Sequence, residues 1–138
     1  MTGVYNVNSV EVTWELARKL APELKPGDVI CLEGDLGAGK TTFTQGLAAA
    51  LGVPGRVNSP TFCIVQEHRG HLLLVHMDLY RLHGEDDVIA IGWEDYLAEG
   101  AILVVEWPDR AGALIPPDAR HIVFTHLEGE ESRRIEFK

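Results

Sequence analysis

The chain has 138 residues, 46% of them hydrophobic, with a mean hydropathy near zero, which leaves room for one soluble domain with a core of its own and argues against a second. Its 12 Lys and Arg against 21 Asp and Glu give a formal net charge of −9. Counterion release at a basic face supplies most unaided nucleic-acid affinity, so autonomous grip on a polyphosphate backbone is disfavoured and any RNA should be held mainly by a partner protein. The acidic surface serves solubility equally well. Met1 to Asn6 lack the basic start and apolar stretch of a signal peptide, and no run approaches a membrane span, so a cytoplasmic location without membrane attachment is expected. Cys31 and Cys63 sit in separate apolar segments, a pattern of buried reduced thiols rather than of a disulfide or zinc site.

Asn8 or Ser9 caps a first predicted helix, with Glu11 near its positive end and Trp14, Ala17, Leu20, Ala21 and Leu24 as an apolar stripe. Pro22 bends or ends it. A turn at Lys25 to Asp28 leads into Val29-Ile30-Cys31-Leu32, which reads as a buried parallel strand. The next eight residues, Gly34-Asp35-Leu36-Gly37-Ala38-Gly39-Lys40-Thr41, fit G-x-x-x-x-G-K-[ST] at every fixed position. A glycine-rich turn of this kind points successive backbone amides at phosphates while the following helix offers its positive end. Asp35, Leu36, Gly37, Ala38 and Gly39 then line the phosphates, Lys40 supplies a mobile charge, Thr41 offers a hydroxyl to Mg²⁺, and Thr42 continues the cradle. The helix runs from Thr42 to Leu51 with Phe43, Leu47, Ala50 and Leu51 on one side.

Gly52 to Gly55 breaks the chain, and residues 57–65 enter a predicted strand through Ser59-Pro60-Thr61. Thr61 has two readings that sequence physics leaves balanced: a nucleotide-sensing switch reaching the γ-phosphate and Mg²⁺, or a strand-initiating turn built on Pro60. Glu67 to His71 reads as a polar hairpin connection, with His68 and His71 as solvated loop residues rather than metal ligands. A strand from Leu72 to Asp78 follows, then helices opening at Glu85 and Trp93. Ala101 to Val105 is the most apolar run in the chain and suits a central parallel strand ending at Glu106-Trp107-Pro108. Residues 121–126 and 133–137 form an antiparallel hairpin on the sheet edge. The sum is a three-layer α/β P-loop NTPase fold, its central sheet mainly parallel with an antiparallel C-terminal hairpin, as one P-loop ATPase domain over residues 1–138.

Phosphoryl transfer to water needs an acid on the metal side, at the carboxyl end of a buried strand near Thr41. Glu106 and Asp78 both end apolar strands. Glu106 is favoured as the metal-side acid beside Thr41, and Asp78 as the group orienting the attacking water or a metal-bound water; the reverse assignment is the alternative. Asp109-Arg110-Ala111-Gly112 matches D-x-x-G, a pattern too short to weigh in a chain with 14 glycines. None of Asn6, Asn8 and Asn58 is followed by lysine, so the guanine motif N-K-x-D is missing and ATP is the expected nucleotide.

Four motifs in order, the P-loop continuing through Thr42-Phe43, then Ser59-Pro60-Thr61-Phe62, His76-Met77-Asp78-Leu79-Tyr80-Arg81 and Glu106-Trp107-Pro108, resemble the bacterial TsaE family, the ATPase subunits of tRNA threonylcarbamoyladenosine biosynthesis. The resemblance extends to Gly92-Trp93-Glu94-Asp95-Tyr96-Leu97 and to chain length. It implies a weak Mg²⁺-dependent ATPase that joins two partner subunits, TsaB and TsaD, which attach threonylcarbamoyl to the adenosine beside the anticodon. It further implies Thr41 and Glu106 as Mg²⁺ ligands, Lys40 as the phosphate lysine, Asp78 as a residue needed for hydrolysis, Thr61 as switch-like, and Thr13 as lying near the nucleotide base. Two other classes stay open: a small-molecule P-loop kinase, and a nucleotide-gated binding module.

Overall fold

The structure, a computed structural model, describes residues 1–35, 38–55, 64–128 and 132–138. A seven-stranded sheet runs through the molecule: β1 (Gly3–Val7), β2 (Val29–Gly34), β3 (Val65–Arg69), β4 (Leu73–Asp78), β5 (Ile102–Glu106), β6 (Arg120–His126) and β7 (Arg133–Phe137). The spatial order is β1-β7-β6-β2-β5-β4-β3. The four inner strands β6, β2, β5 and β4 are mutually parallel, and the three antiparallel pairings, β1 with β7, β7 with β6 and β3 with β4, flank them.

Helices cover both faces. On one lie α1 (Val10–Leu20) and α2 (Lys40–Ala50), whose Leu16, Ala17, Leu20, Phe43 and Leu47 pack on Ile30, Leu32, Ile102, Val104 and Phe124. On the other lie α3 (Glu85–Ala90), α4 (Trp93–Ala98) and a 3₁₀ stretch from Pro108 to Leu114, with Val88, Trp93 and Ala111 against Cys31, Val75, Met77, Leu103 and Val105. Alternate residues of β2, β4 and β5 therefore feed two cores. Each large side chain so buried is worth about 1.5–3 kcal/mol, which is why these strands carry nearly continuous apolar runs. Among the described residues no helix is long and apolar enough to cross a membrane.

Ser9 is the N-cap of α1, its hydroxyl accepting from the Val12 N–H at 3.3 Å, and the helix tightens into a 3₁₀ turn at Ala21–Glu23 where Pro22 removes a donor. Helix α2 starts at Lys40, two residues before the predicted boundary. Its packing on α1 is close at Gly46, where an added Cβ would lie 3.0 Å from the Trp14 backbone and 3.1 Å from the Ala17 methyl.

Five expectations need correction. Trp14 is 38% exposed, and Leu16 takes its place in the core; the buried face follows Thr13, Leu16, Ala17 and Leu20, so Trp14 falls at its margin, over Gly46. Ala50 is likewise exposed while Ala48 is buried. Glu67, His68 and Arg69 belong to β3, and the turn to β4 is made at Gly70 to Leu72 instead. His68 is half-buried in that strand rather than solvated in a loop. The C-terminal hairpin is not the sheet edge: β6 joins β2, and the unpredicted strand β1 covers β7. Glycine at position 3 and Asn6 obscure β1 in the sequence, and its stability comes from its long-range ladder rather than from propensity.

Candidate functional site

Strand β2 ends and helix α2 begins at the carboxyl edge of the parallel strands. Gly34 has φ +143°, and a Cβ there would stand 2.3 Å from the Phe124 carbonyl oxygen, so glycine alone lets β2 leave the sheet beside β6. Gly39, at φ 108°, turns the chain into α2 as its N-cap, and with no side chain to offer it leaves the opening turn of the helix without a side-chain cap. The amides that start the helix are thus free of the usual serine or aspartate competitor, and the positive end of the helix faces the loop. Ala38 is buried and its N–H bonds the Asp35 carbonyl at 3.1 Å. Leu36 and Gly37 lie outside the described residues.

Lys40 is only 8% exposed. Its Nζ donates to the Gly34 carbonyl at 2.7 Å and lies 3.4 Å from Glu106 Oε1. The ammonium therefore closes the loop on itself and meets the acid that ends β5. Thr41 and Thr42 follow, both half-buried.

Leu32, Glu106 and Asp78 stand level across β2, β5 and β4. Glu106 is 7% exposed. Its Oε2 lies 2.6 Å from Nε2 of the fully buried His76. Burial pushes the Glu106 carboxyl up, but the His76 hydrogen bond and charge and the Lys40 ammonium outweigh it, and the group is held below its ordinary value. Asp78 is more open, and its Oδ1 accepts from the Tyr80 N–H at 3.1 Å. The Leu79 N–H to Glu106 carbonyl bond, 3.1 Å, ties the ends of β4 and β5 together. Trp107 follows Glu106 with φ 58°, the one positive φ of a non-glycine residue among the described residues. Its ring lies tilted against Tyr80, centroids 4.9 Å apart, with the Arg110 guanidinium over it.

Of the residues singled out in the sequence, Lys40, Glu106 and Asp78 are gathered at one strand edge with Ala38, Gly39, Thr41 and Thr42 beside them. Thr13 is buried in α1 with its hydroxyl donated to the Ser9 carbonyl at 3.4 Å. Thr61 lies outside the described residues. His76 was missed. The available signal was parity, since His76 is two residues before Asp78 and so shares its face of β4.

Among the described residues no group of three or more His, Cys, Asp or Glu is disposed to hold a metal ion. Thr41 carries a hydroxyl and Glu106 a carboxylate, hard oxygen donors of the kind Mg²⁺ takes while it keeps waters and leans on phosphate for its other ligands. The uncapped helix start and the buried ammonium suit the phosphates.

A parallel strand, a glycine turn, a lysine-led helix and strand-end acids level with it define a P-loop NTPase fold. The comparisons narrow this further. The family described as "Threonylcarbamoyl adenosine biosynthesis protein TsaE" matches residues 7–135. The tRNA threonylcarbamoyladenosine biosynthesis protein TsaE of Bacillus subtilis (strain 168) is 44% identical over 128 residues, covering 92% of this chain and 79% of its own. The protein of the same name from Streptomyces coelicolor is 47% identical over 132 residues, covering 82% and 89%. The crystal structure of YdiB from Bacillus subtilis superposes with a TM-score of 0.79 at 35% identity, over 99% of this chain and 84% of that one. The chain belongs to the TsaE family.

Proposed function

We propose that this protein is the ATP-binding and ATP-hydrolysing subunit of the machinery that places threonylcarbamoyl on the adenosine next to the tRNA anticodon, working with TsaB and TsaD in the cytoplasm. The observation that carries this reading is Lys40, buried between the Gly34 carbonyl and Glu106 at the start of an uncapped helix. A buried ammonium with one neutral and one anionic partner is poised to exchange them for phosphate oxygens. Family membership and the relatives' names support the tRNA-modification setting.

In this reading the amides between Asp35 and Thr42, including those of Leu36 and Gly37, cradle the phosphates, and Lys40 neutralises charge as it develops on them. Thr41 and Glu106 hold the cation, which when bound supplies electrostatic stabilisation of the transferring phosphoryl group. Asp78 orients the attacking water or a metal-bound water, the reverse pairing of the two acids being the second assignment. Thr61 senses the γ-phosphate. Thr13 lies by the base. The net charge of −9 leaves tRNA contact mainly to the partners.

The test is ATP turnover measured for the protein alone and with TsaB and TsaD. Release of inorganic phosphate that rises with the partners is the expected result. No hydrolysis in either case contradicts the reading, and transfer of phosphate to a metabolite replaces it with a kinase.

A further inference from the structure

His76 is fully buried, and among the described residues one polar contact accounts for it: Nε2 lies 2.6 Å from Glu106 Oε2, while Nδ1 is buried with no hydrogen-bond partner among them. An ionised carboxylate only accepts, so Nε2 carries a proton and donates to Oε2. Gln66 is the register partner of His76 on β3, and its Oε1 is likewise buried with no hydrogen-bond partner among the described residues. His76 is paired in the interior of the sheet, with Gln66 on one side and Val104 on the other.

From this geometry we infer that His76 is a positioning residue for Glu106, holding Oε2 so that Oε1 stays aimed at the cation once Lys40 turns to the phosphates. The inference rests on the ATPase reading above. Without nucleotide, Glu106 has two restraints among the described residues, Lys40 on Oε1 and His76 on Oε2. Lys40 is the one that nucleotide binding recruits elsewhere, so His76 is the restraint that persists. The role differs from general packing, because a side chain of similar bulk without a donor would fill the same space and leave Oε2 unbonded.

The test compares His76→Leu, which keeps bulk and drops the donor, with His76→Gln, whose amide nitrogen can reach the Nε2 position. Steady-state ATP hydrolysis is measured with the partner subunits, and the imidazole ¹⁵N spectrum of the nucleotide-free wild-type chain reports the tautomer. Expected are a kcat roughly 10–100-fold lower in His76→Leu with KM for ATP little changed, substantial recovery in His76→Gln, little further loss when His76→Leu is added to Glu106→Gln, and a proton on Nε2. Equal losses in the Leu and Gln variants, an unchanged kcat in His76→Leu, or an Nε2 without a proton overturns the inference. Should His76→Leu fail to fold, the His76→Gln rate and the spectrum decide in the same sense. Absence of turnover in the wild type would sink the ATPase reading instead, and the spectrum would still judge the contact.

Discussion

Asp78 and Glu106 are register partners at the carboxyl ends of adjacent parallel strands, yet their surroundings differ: Glu106 is buried between Lys40 and His76, whereas Asp78 is half-buried and bonded to the Tyr80 backbone N–H. Two acids at one level in unlike settings suit unlike tasks. Asp78→Ala should lower ATP turnover by about 100-fold or more while leaving nucleotide affinity nearly intact, since it removes a water-orienting group. Glu106→Ala should lower turnover and also cost about 2 kcal/mol of stability, because Lys40 and His76 both lose a buried partner. Kinetics and denaturant unfolding on both variants check the split; equal stability losses contradict it.

Burial pushes the Cys31 thiol up to about 12, with the Glu33 carboxylate adding to the effect. The thiolate is the reactive form. In a Cys63→Ser background the native protein should therefore resist alkylation at pH 8 and react only on unfolding. Rapid labelling of the folded chain would show that Cys31 is not shielded as described.

His68 is held below its ordinary value of 6.5, first by burial and then by the nearby His76. The unfolded chain then takes up the proton before the folded one, so His68 costs stability as pH falls through 6.5 and ceases to add to the loss below its folded value. Wild-type protein should lose more stability between pH 7.5 and 5.5 than His68→Gln. Glu106 works lower. Its contribution is whole above the ordinary 4.5 and disappears as pH drops through its depressed folded value. Denaturant unfolding across pH distinguishes the two; parallel curves for wild type and His68→Gln contradict the assignment.

Gly46→Val should destabilise by about 1–3 kcal/mol. Its side chain would enter the α1–α2 contact against Trp14 and Ala17, where even one carbon is crowded. A thermal melt unchanged from wild type would mean that the two helices do not pack this closely.

The parallel core was legible because it is local. Val29 to Leu32 and Ala101 to Val105 announce strands buried on both faces, and Gly34 and Gly39 mark where the chain leaves β2 and enters α2. The sheet edges were not. β1 exists through its pairing with β7, a partner 130 residues away in its central register of Tyr5 with Ile135, and nothing in Gly3 to Val7 encodes that ladder. Glu67 to Arg69 looked like a connection because one exposed edge strand is as polar as a loop. His76 was passed over for a related reason: its role is a contact to Glu106, 30 residues on, that appears only when β4 and β5 lie side by side.

The most direct test of the account is a calorimetric titration of Mg²⁺-ATP into the wild-type chain and into Lys40→Ala. Charge-assisted hydrogen bonds to phosphate are worth about 1.5–3 kcal/mol, so the variant should bind roughly 10–100-fold more weakly, with its fold intact by circular dichroism. Equal affinity in the two proteins would mean that the ammonium between Gly34 and Glu106 does not serve a nucleotide.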